Sequence, residues 1–270
     1  MTMEIKPVLS RITIYPVKSL DGMDVRQVKV VRGGCLEHDR SFAIFDEAGR
    51  RVNGKSTPLV HTLRSKFDPH MSLLSFQRVG MEGWEEFHWP EQPVLMNEFL
   101  SEHFGRTVHM AYEPTGRFLD IPDISGATVL STSSLQEVST WMGGLDLGET
   151  RRRFRASLEI DGVPPFWEDL LFSSEGKGIA FSLGDVNLIG ISPRARCTVP
   201  HRDTRTGEMI HGFQKRFSQQ RELHLPDWSN LAAWGHYYHL SVDCALPDSE
   251  VGKTLRVGDP LTIIGEQIIA

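Results

Sequence analysis

Apolar positions in the first part of the chain recur in short runs of strand period. Arg11-Ile12-Thr13-Ile14-Tyr15 is short, β-branched and stopped by Pro16, which predicts a strand. Val25 to Val31 sets its valines against Arg26, Gln27 and Lys29, the alternation of a half-buried strand. Ser41–Phe45 and Arg50–Val52 flank Asp46-Glu47-Ala48-Gly49, a hairpin pattern with glycine closing the turn. Met71–Val79 reads as a further strand. The period changes at Gln92–Phe104, where Val94, Leu95, Phe99, Leu100 and His103 recur at helical spacing and predict a helix.

From Glu113 to Gly126 prolines and glycines interrupt a stretch with few periodic apolar positions, so the domain boundary is expected there, with one domain over 1–122 and a second over 123–270. The second part predicts a strand at Thr128–Leu130. A helix follows, capped by Ser133 or Ser134, carrying Leu135, Val138 and Met142 on one face and ended by Gly143-Gly144. Further strands are expected at Ser157–Ile160, Tyr238–Val242 and Leu261–Ile269. A hairpin joins Gly178–Leu183 to Val186–Ile191, and a helix runs over Gly212–Arg221. The fold class expected is mainly β with some α, arranged as two β-rich, barrel-like domains.

Composition narrows the function classes. A net charge of −6 argues against general nucleic-acid binding. No apolar run approaches the roughly 18 residues of a membrane helix, and Met1 to Lys6 lacks a signal-peptide layout, so neither a membrane nor export is expected. Three cysteines, Cys35, Cys197 and Cys244, are too few for a disulfide framework and point to a reducing cytoplasm. Without a Cys-x-x-Cys pair or ferredoxin spacing, an iron–sulfur cluster is not expected.

Against this acidic background, Ile191–Arg221 carries seven Lys/Arg residues and only Asp203 and Glu208, a local balance of +5. A second basic cluster, Arg151-Arg152-Arg153-Phe154-Arg155, precedes the strand at Ser157. Charge alone fits a solvated basic loop as well as a site for a phosphate-bearing ligand. Cys197 shifts the balance. It lies between Arg194, Arg196, His201 and Arg202, which would favour a thiolate, both a soft metal ligand and a nucleophile. The alternative, a small buried core cysteine, suits Cys244 better, while Cys35 reads as incidental in the turn after Gly33-Gly34. Tyr15-Pro16-Val17-Lys18-Ser19 and His38-Asp39-Arg40 place cations and a hydroxyl at strand ends, where ligand contacts are common. His236 and His239 have a metal-like spacing but lack two further ligands for zinc. No phosphate-binding Gly-x-x-x-x-Gly-Lys loop and no Gly-x-Ser-x-Gly elbow occurs.

Taken in order, these motifs resemble the MOSC proteins, named for the C-terminal domain of molybdenum cofactor sulfurase. The resemblance is to members with an N-terminal β-barrel domain, such as the mitochondrial amidoxime-reducing component and its bacterial relatives. It rests on Tyr15 to Ser19, Gly34 to Arg40, the Asp46–Gly49 turn, Arg153-Phe154-Arg155, Pro165 to Asp169, Gly184-Asp185-Val186, Arg196-Cys197, Asp203-x-x-Thr206-Gly207 and Val257-Gly258-Asp259. The resemblance implies that Cys197 coordinates molybdenum and is the catalytic residue. Lys18, Ser19, Arg40 and Arg155 would hold the molybdopterin phosphate and pterin, with contacts from Ser131 and Arg196. It further implies an oxidoreductase that removes oxygen from N-hydroxylated or N-oxide-type small molecules, with electrons from a separate electron-transfer protein. Pyridoxal phosphate is not expected, since it belongs to the sulfurase's separate aminotransferase-like domain. A second function stays open, a non-redox cofactor or sulfur carrier that uses Cys197 as a thiolate or persulfide. Two departures bear on substrate preference: Ala156-Ser157 stands where close reducing relatives carry Pro-Asn, and Thr198 to Arg202 differs from the Thr-Thr-Val run of the mitochondrial enzymes.

Overall fold

A computed structural model of the chain describes residues 6–114, 118–121 and 126–269, so the expected boundary at 122/123 lies outside the described residues. In chain order the strands and helices are β1 Val8–Ile14, β2 Met23–Val25, β3 Gln27–Val31, β4 Cys35–Leu36, β5 Phe42–Asp46, β6 Leu63–Phe67, β7 Leu73–Arg78, β8 Glu85–His88, α1 Pro93–Phe104, β9 Val108–Tyr112, β10 Ala127–Ser131, α2 Thr132–Trp141, α3 Leu147–Phe154, β11 Leu158–Asp161, β12 Lys177–Leu183, β13 Val186–Ala195, α4 Phe213–Leu223, β14 His239–Ala245, β15 Thr254–Arg256 and β16 Leu261–Ile268. The fold is mainly β with some α. Among the described residues no sheet closes into a barrel; the largest is an open eight-stranded sheet in the order β16-β12-β13-β14-β10-β11-β1-β2.

This sheet joins the two halves of the chain. β1 pairs antiparallel with β11, and β3 pairs antiparallel with β15, so strands from the first hundred residues are hydrogen-bonded to strands from the last hundred and twenty. In β1 a bulge between Leu9 and Arg11 changes the facing parity, which lets Leu9, Ile12 and Ile14 all reach the core. β14, at the strand expected over Tyr238–Val242, lies inside the sheet between β13 and β10, and six of its seven residues are buried, the polar His239, Ser241 and Asp243 among them. The hairpin of β12 and β13 turns where expected, with Leu183 opposite Val186. Two more bulges disturb β13 between Gly190 and Ser192 and between Pro193 and Ala195, just before the strand releases Arg196 and Cys197. Bulges at such a position re-aim the residues that follow.

Several local expectations change. Val25 to Val31 is two strands, since β2 pairs with β1 while β3 pairs with β15 and β4. β5 takes β9 as its long partner, and the expected hairpin at Asp46–Gly49 stands on its other edge: the Asp46 amide donates to the Arg50 carbonyl at 3.0 Å, the Val52 amide donates to the Ile44 carbonyl at 2.8 Å, and Phe45 bridges Arg51. Helix α1 turns Met96, Leu100 and Phe104 inward and leaves Val94 and Leu95 exposed, because the buried stripe is shifted from the one the spacing suggested. The cap of α2 is Ser131, one turn earlier than Ser134. Arg151 to Arg153 lie on a helix, α3, capped at Asp146, whose charged sequence hides its amphipathic pattern. Cys35 is in β4 and buried rather than in a turn.

Gly190 shows how tightly β13 is pressed against the turn at Trp167–Leu171. A Cβ there would stand 1.7 Å from the Leu171 carbonyl oxygen. Gly190→Ala is therefore expected to cost roughly 1–3 kcal/mol or more, through backbone displacement. A urea unfolding midpoint unchanged from wild type would contradict this packing.

Candidate functional site

The chain ends of β1 and β13 meet across a cavity of about 550 Å³. Among the described residues its lining includes nine Lys/Arg residues, among them Lys18, Arg40, Arg64, Arg155, Arg194 and Arg196, against three carboxylates, Asp21, Asp120 and Asp243. Six of the seven residues expected at the site, Lys18, Ser19, Arg40, Arg155, Arg196 and Cys197, line this one cavity. The seventh does not. Ser131 is fully buried, its hydroxyl accepts from the Ser134 amide at 3.1 Å as the cap of α2, and it bonds the hydroxyls of Ser133 and Ser134.

The wall from the first half of the chain is built on Tyr15. The Tyr15 amide donates to Asp39 Oδ1 at 2.7 Å, and the Arg40 amide donates back to the Tyr15 carbonyl at 2.8 Å. The Tyr15 ring then carries two guanidiniums, Arg40 at 4.9 Å and Arg155 at 4.1 Å from its centroid. Lys18 follows β1, and its Nζ donates to the Phe118 carbonyl and to Asp120 Oδ1, each at 2.6 Å. Ser19, Arg40 and Arg155 all hold left-handed backbone conformations, with φ of 74°, 53° and 53°. Non-glycine residues in this region carry a strain on the order of 1–3 kcal/mol each, and such residues gather at ligand sites.

The opposite wall comes from the end of β13. Arg194 pairs with Asp243 at 2.5 Å and Asp120 at 3.3 Å. Arg196 donates from Nη2 to the Phe154 carbonyl at 2.6 Å, while its Nε and Nη1 are buried without a hydrogen-bond partner among the described residues. Cys197 is exposed, whereas Cys35 and Cys244 are buried. Burial pushes the Cys35 thiol up to about 11 and Cys244 well above its ordinary value, so neither is disposed to ionise. The loop beyond Cys197 is clamped from below by Arg153. This fully buried side chain donates to the Pro200 carbonyl at 2.9 Å and the Arg202 carbonyl at 2.6 Å, and pairs with Glu149 at 2.7 Å. Arg202 in turn donates to the Gly54 carbonyl at 3.0 Å, and Arg64 to the Thr204 carbonyl at 2.5 Å, so residues of the first half hold the same loop.

The electrostatics follow from this crowding. Burial lowers the pKa of Lys18, against the pull of Asp120. Burial likewise lowers Arg155. For Arg40 burial works in the same direction, but the Asp39 carboxylate outweighs it and the pKa is raised. Burial and then Arg202, Arg155 and Arg64 push His61 down to about 4. Burial and then His236 push His239 to about 4. Both imidazoles line the cavity and are neutral at pH 7. His239 Nδ1 lies 2.9 Å from the His236 carbonyl, which can only accept, so Nδ1 carries the proton and Nε2 is left as the acceptor.

Arg64, Arg153, His61, His239 and Asp120 were not singled out as site residues by the sequence. Arg153 had a signal, the basic cluster at 151–155. Asp120 had none, lying in the connector read only as a boundary.

These contacts set two expectations. Arg153→Ala removes a buried charge together with its carbonyl partners, and should cost about 3–5 kcal/mol in urea unfolding while amide exchange accelerates in 198–202. Protection there equal to wild type would show that the loop holds itself. The second concerns protons. With the folded-state pKa of His61 near 4 against an ordinary 6.5, the unfolded chain binds the proton first as pH falls. Stability from this group is present above about pH 6.5 and is lost towards pH 4. The urea midpoint of wild type should therefore fall relative to His61→Gln across that window; parallel curves would show no such linkage.

Residues 6–93 match the family model described as the MOSC N-terminal beta barrel domain. No curated protein matches the chain. Among solved structures, a crystal structure of APC1665, the YUAD protein from Bacillus subtilis, is similar at 12% identity and a TM-score of 0.39, over 97% of this chain and 94% of that one.

Proposed function

We propose, for a chain that carries a MOSC N-terminal beta barrel domain, that the cavity is the seat of a molybdenum cofactor and that the protein is an oxidoreductase acting on N-hydroxylated or N-oxide-type small molecules. In this reading residues 1–122 form the N-terminal domain and 123–270 the MOSC domain, each giving one wall. The observation that carries it is the juxtaposition of one exposed cysteine with nine cations around a single cavity.

The residues present fit such a group. A pterin phosphate asks for Lys and Arg donors, and Arg196 has two buried donors with no partner among the described residues. A soft metal beside a dithiolene asks for a thiolate, which Cys197 can supply from the edge of the cavity. Lys18, Ser19, Arg40 and Arg155 hold the phosphate and pterin, with Arg40 and Arg155 fixed on the Tyr15 ring so that little side-chain freedom is lost on binding. Ser131, committed to the cap of α2, is not included. When bound, the cofactor supplies two-electron oxygen-atom chemistry, and the protein contributes orientation, electrostatics and proton management. Removing oxygen from a hydroxylamine consumes two electrons and two protons and releases water. The electrons come from a separate electron-transfer protein. His61 and His239 are neutral imidazoles on the cavity wall, able to exchange protons there as charge changes nearby.

The exposure of Cys197 also favours a second reading, a non-redox cofactor or sulfur carrier in which the thiol is loaded and unloaded from solution. One preparation tests both. Purified from a host that makes molybdopterin, wild type should retain molybdenum, and Cys197→Ala should retain at least about tenfold less. Equal metal in the two would end the role given to Cys197. Turnover of a model hydroxylamine with a chemical reductant supports the oxidoreductase; a persulfide on Cys197 by mass spectrometry without turnover supports the carrier.

A further inference from the structure

Lys18 and Arg194 face one another from opposite halves of the chain, and a single carboxylate joins them. Asp120 Oδ1 lies 2.6 Å from Lys18 Nζ, and its Oδ2 lies 3.3 Å from Arg194 Nη2. Asp120 and Asp243, which both pair with Arg194, differ in kind. Asp243 is a β14 residue whose side chain is 4% exposed, whereas the Asp120 side chain is 54% exposed and sits on the connector between the halves. Asp243 is thus a fixed part of the wall, and Asp120 is a partner that can leave into water at little desolvation cost. Its two oxygens span two cations as two phosphate oxygens would. The flanking side chains fit an element seated on the cavity: Leu119 is buried, Phe118 offers its carbonyl to Lys18, and Ile121 lines the cavity beside Asp120.

We infer that Asp120 is an internal stand-in for the ligand's anionic group, occupying Lys18 and Arg194 until a phosphate displaces it. This rests on the reading of the cavity as an anion site. Two consequences follow. Without ligand, the carboxylate offsets the charge of Lys18 and adds to the hold of Asp243 on Arg194. With ligand, the site discriminates, because an entering anion must outbid a tethered carboxylate. A phosphate monoester, with up to two negative charges and three oxygens, can do so; a simple carboxylate offers no advantage over Asp120 itself.

The test is calorimetric titration of the full chain with inorganic phosphate at low ionic strength. Asp120→Asn, nearly isosteric and half exposed, removes the competing charge and should bind phosphate about three- to tenfold more tightly than wild type, the scale of one or two such ion pairs. Asp120→Ser, which also shortens the side chain, should do the same and serves if the first variant fails to fold. Wild-type binding with equal or weaker binding by the folded variants would overturn the proposal and make Asp120 a positioning residue for Lys18. No binding by wild type or either variant would overturn the anion reading of the cavity, and the role of Asp120 with it.

Discussion

Like charges repel, and nine cationic side chains around one cavity are the constraint to which the rest of this structure answers. Two devices can hold such a cluster. Carboxylates would both position and neutralise it; backbone carbonyls position it while leaving its charge in place. This protein uses both: Lys18, Arg40, Arg64, Arg152, Arg153 and Arg194 pair with carboxylates, while carbonyls hold Arg155 and Arg196 and add to the hold on Arg64 and Arg153. Arg155 donates to the Leu20 carbonyl, Arg196 to Phe154, Arg153 to Pro200 and Arg202, and Arg64 to His61 and Thr204. Each guanidinium is fixed in direction by a dipole, and the field in the cavity stays positive. An anionic ligand then finds its donors already oriented, and the entropy of arranging them was lost during folding.

The same contacts tie the two halves of the chain together. A carbonyl from residue 20 receives a guanidinium from residue 155, and one from residue 54 receives residue 202. They act alongside the backbone pairing of β1 with β11 and β3 with β15. The cavity is therefore not a gap between independent bodies. Its walls are held in register by strands that cross from one half to the other, so the distance between Lys18 and Cys197 is set by the sheet rather than by a hinge.

What the sequence made legible follows from how local each cause is. The β12–β13 hairpin, the helix at Pro93–Phe104 and the buried strand around Cys244 are written in short-range periodicity and turn residues, and the structure places them where those patterns lie. Cys197 with Arg194 and Arg196 was visible because charge and thiol are adjacent in the chain. Partners distant in sequence were not. Nothing near Asp46 says that β5, besides its local hairpin, pairs along its length with β9, and nothing near Asp120 says that its carboxylate spans Lys18 and Arg194. Helix α3 was missed for a different reason. With Glu149, Arg151, Arg152 and Arg153 in eight residues it has no apolar stripe to read, and its inward face includes Arg153, buried because backbone carbonyls, Glu149 and Asp203 satisfy it. Ser131 is expected as a ligand contact only from the family resemblance, but a serine before a helix serves the amides first.

Backbone strain completes the argument about the cations. A glycine at Ser19, Arg40 or Arg155 would adopt the same left-handed conformation without the penalty. A glycine, however, would remove the hydroxyl or guanidinium as well. The left-handed turn at Arg155 ends α3 and sends the side chain back across Tyr15, while the same conformation at Arg40 brings a second guanidinium to that ring. Side-chain chemistry and backbone geometry are thus in conflict at three positions on one cavity, and at each the functional group was kept and the strain accepted. A structural basic patch gains nothing from that arrangement. The proposed anion site would gain, because the left-handed turns present these side chains to the cavity.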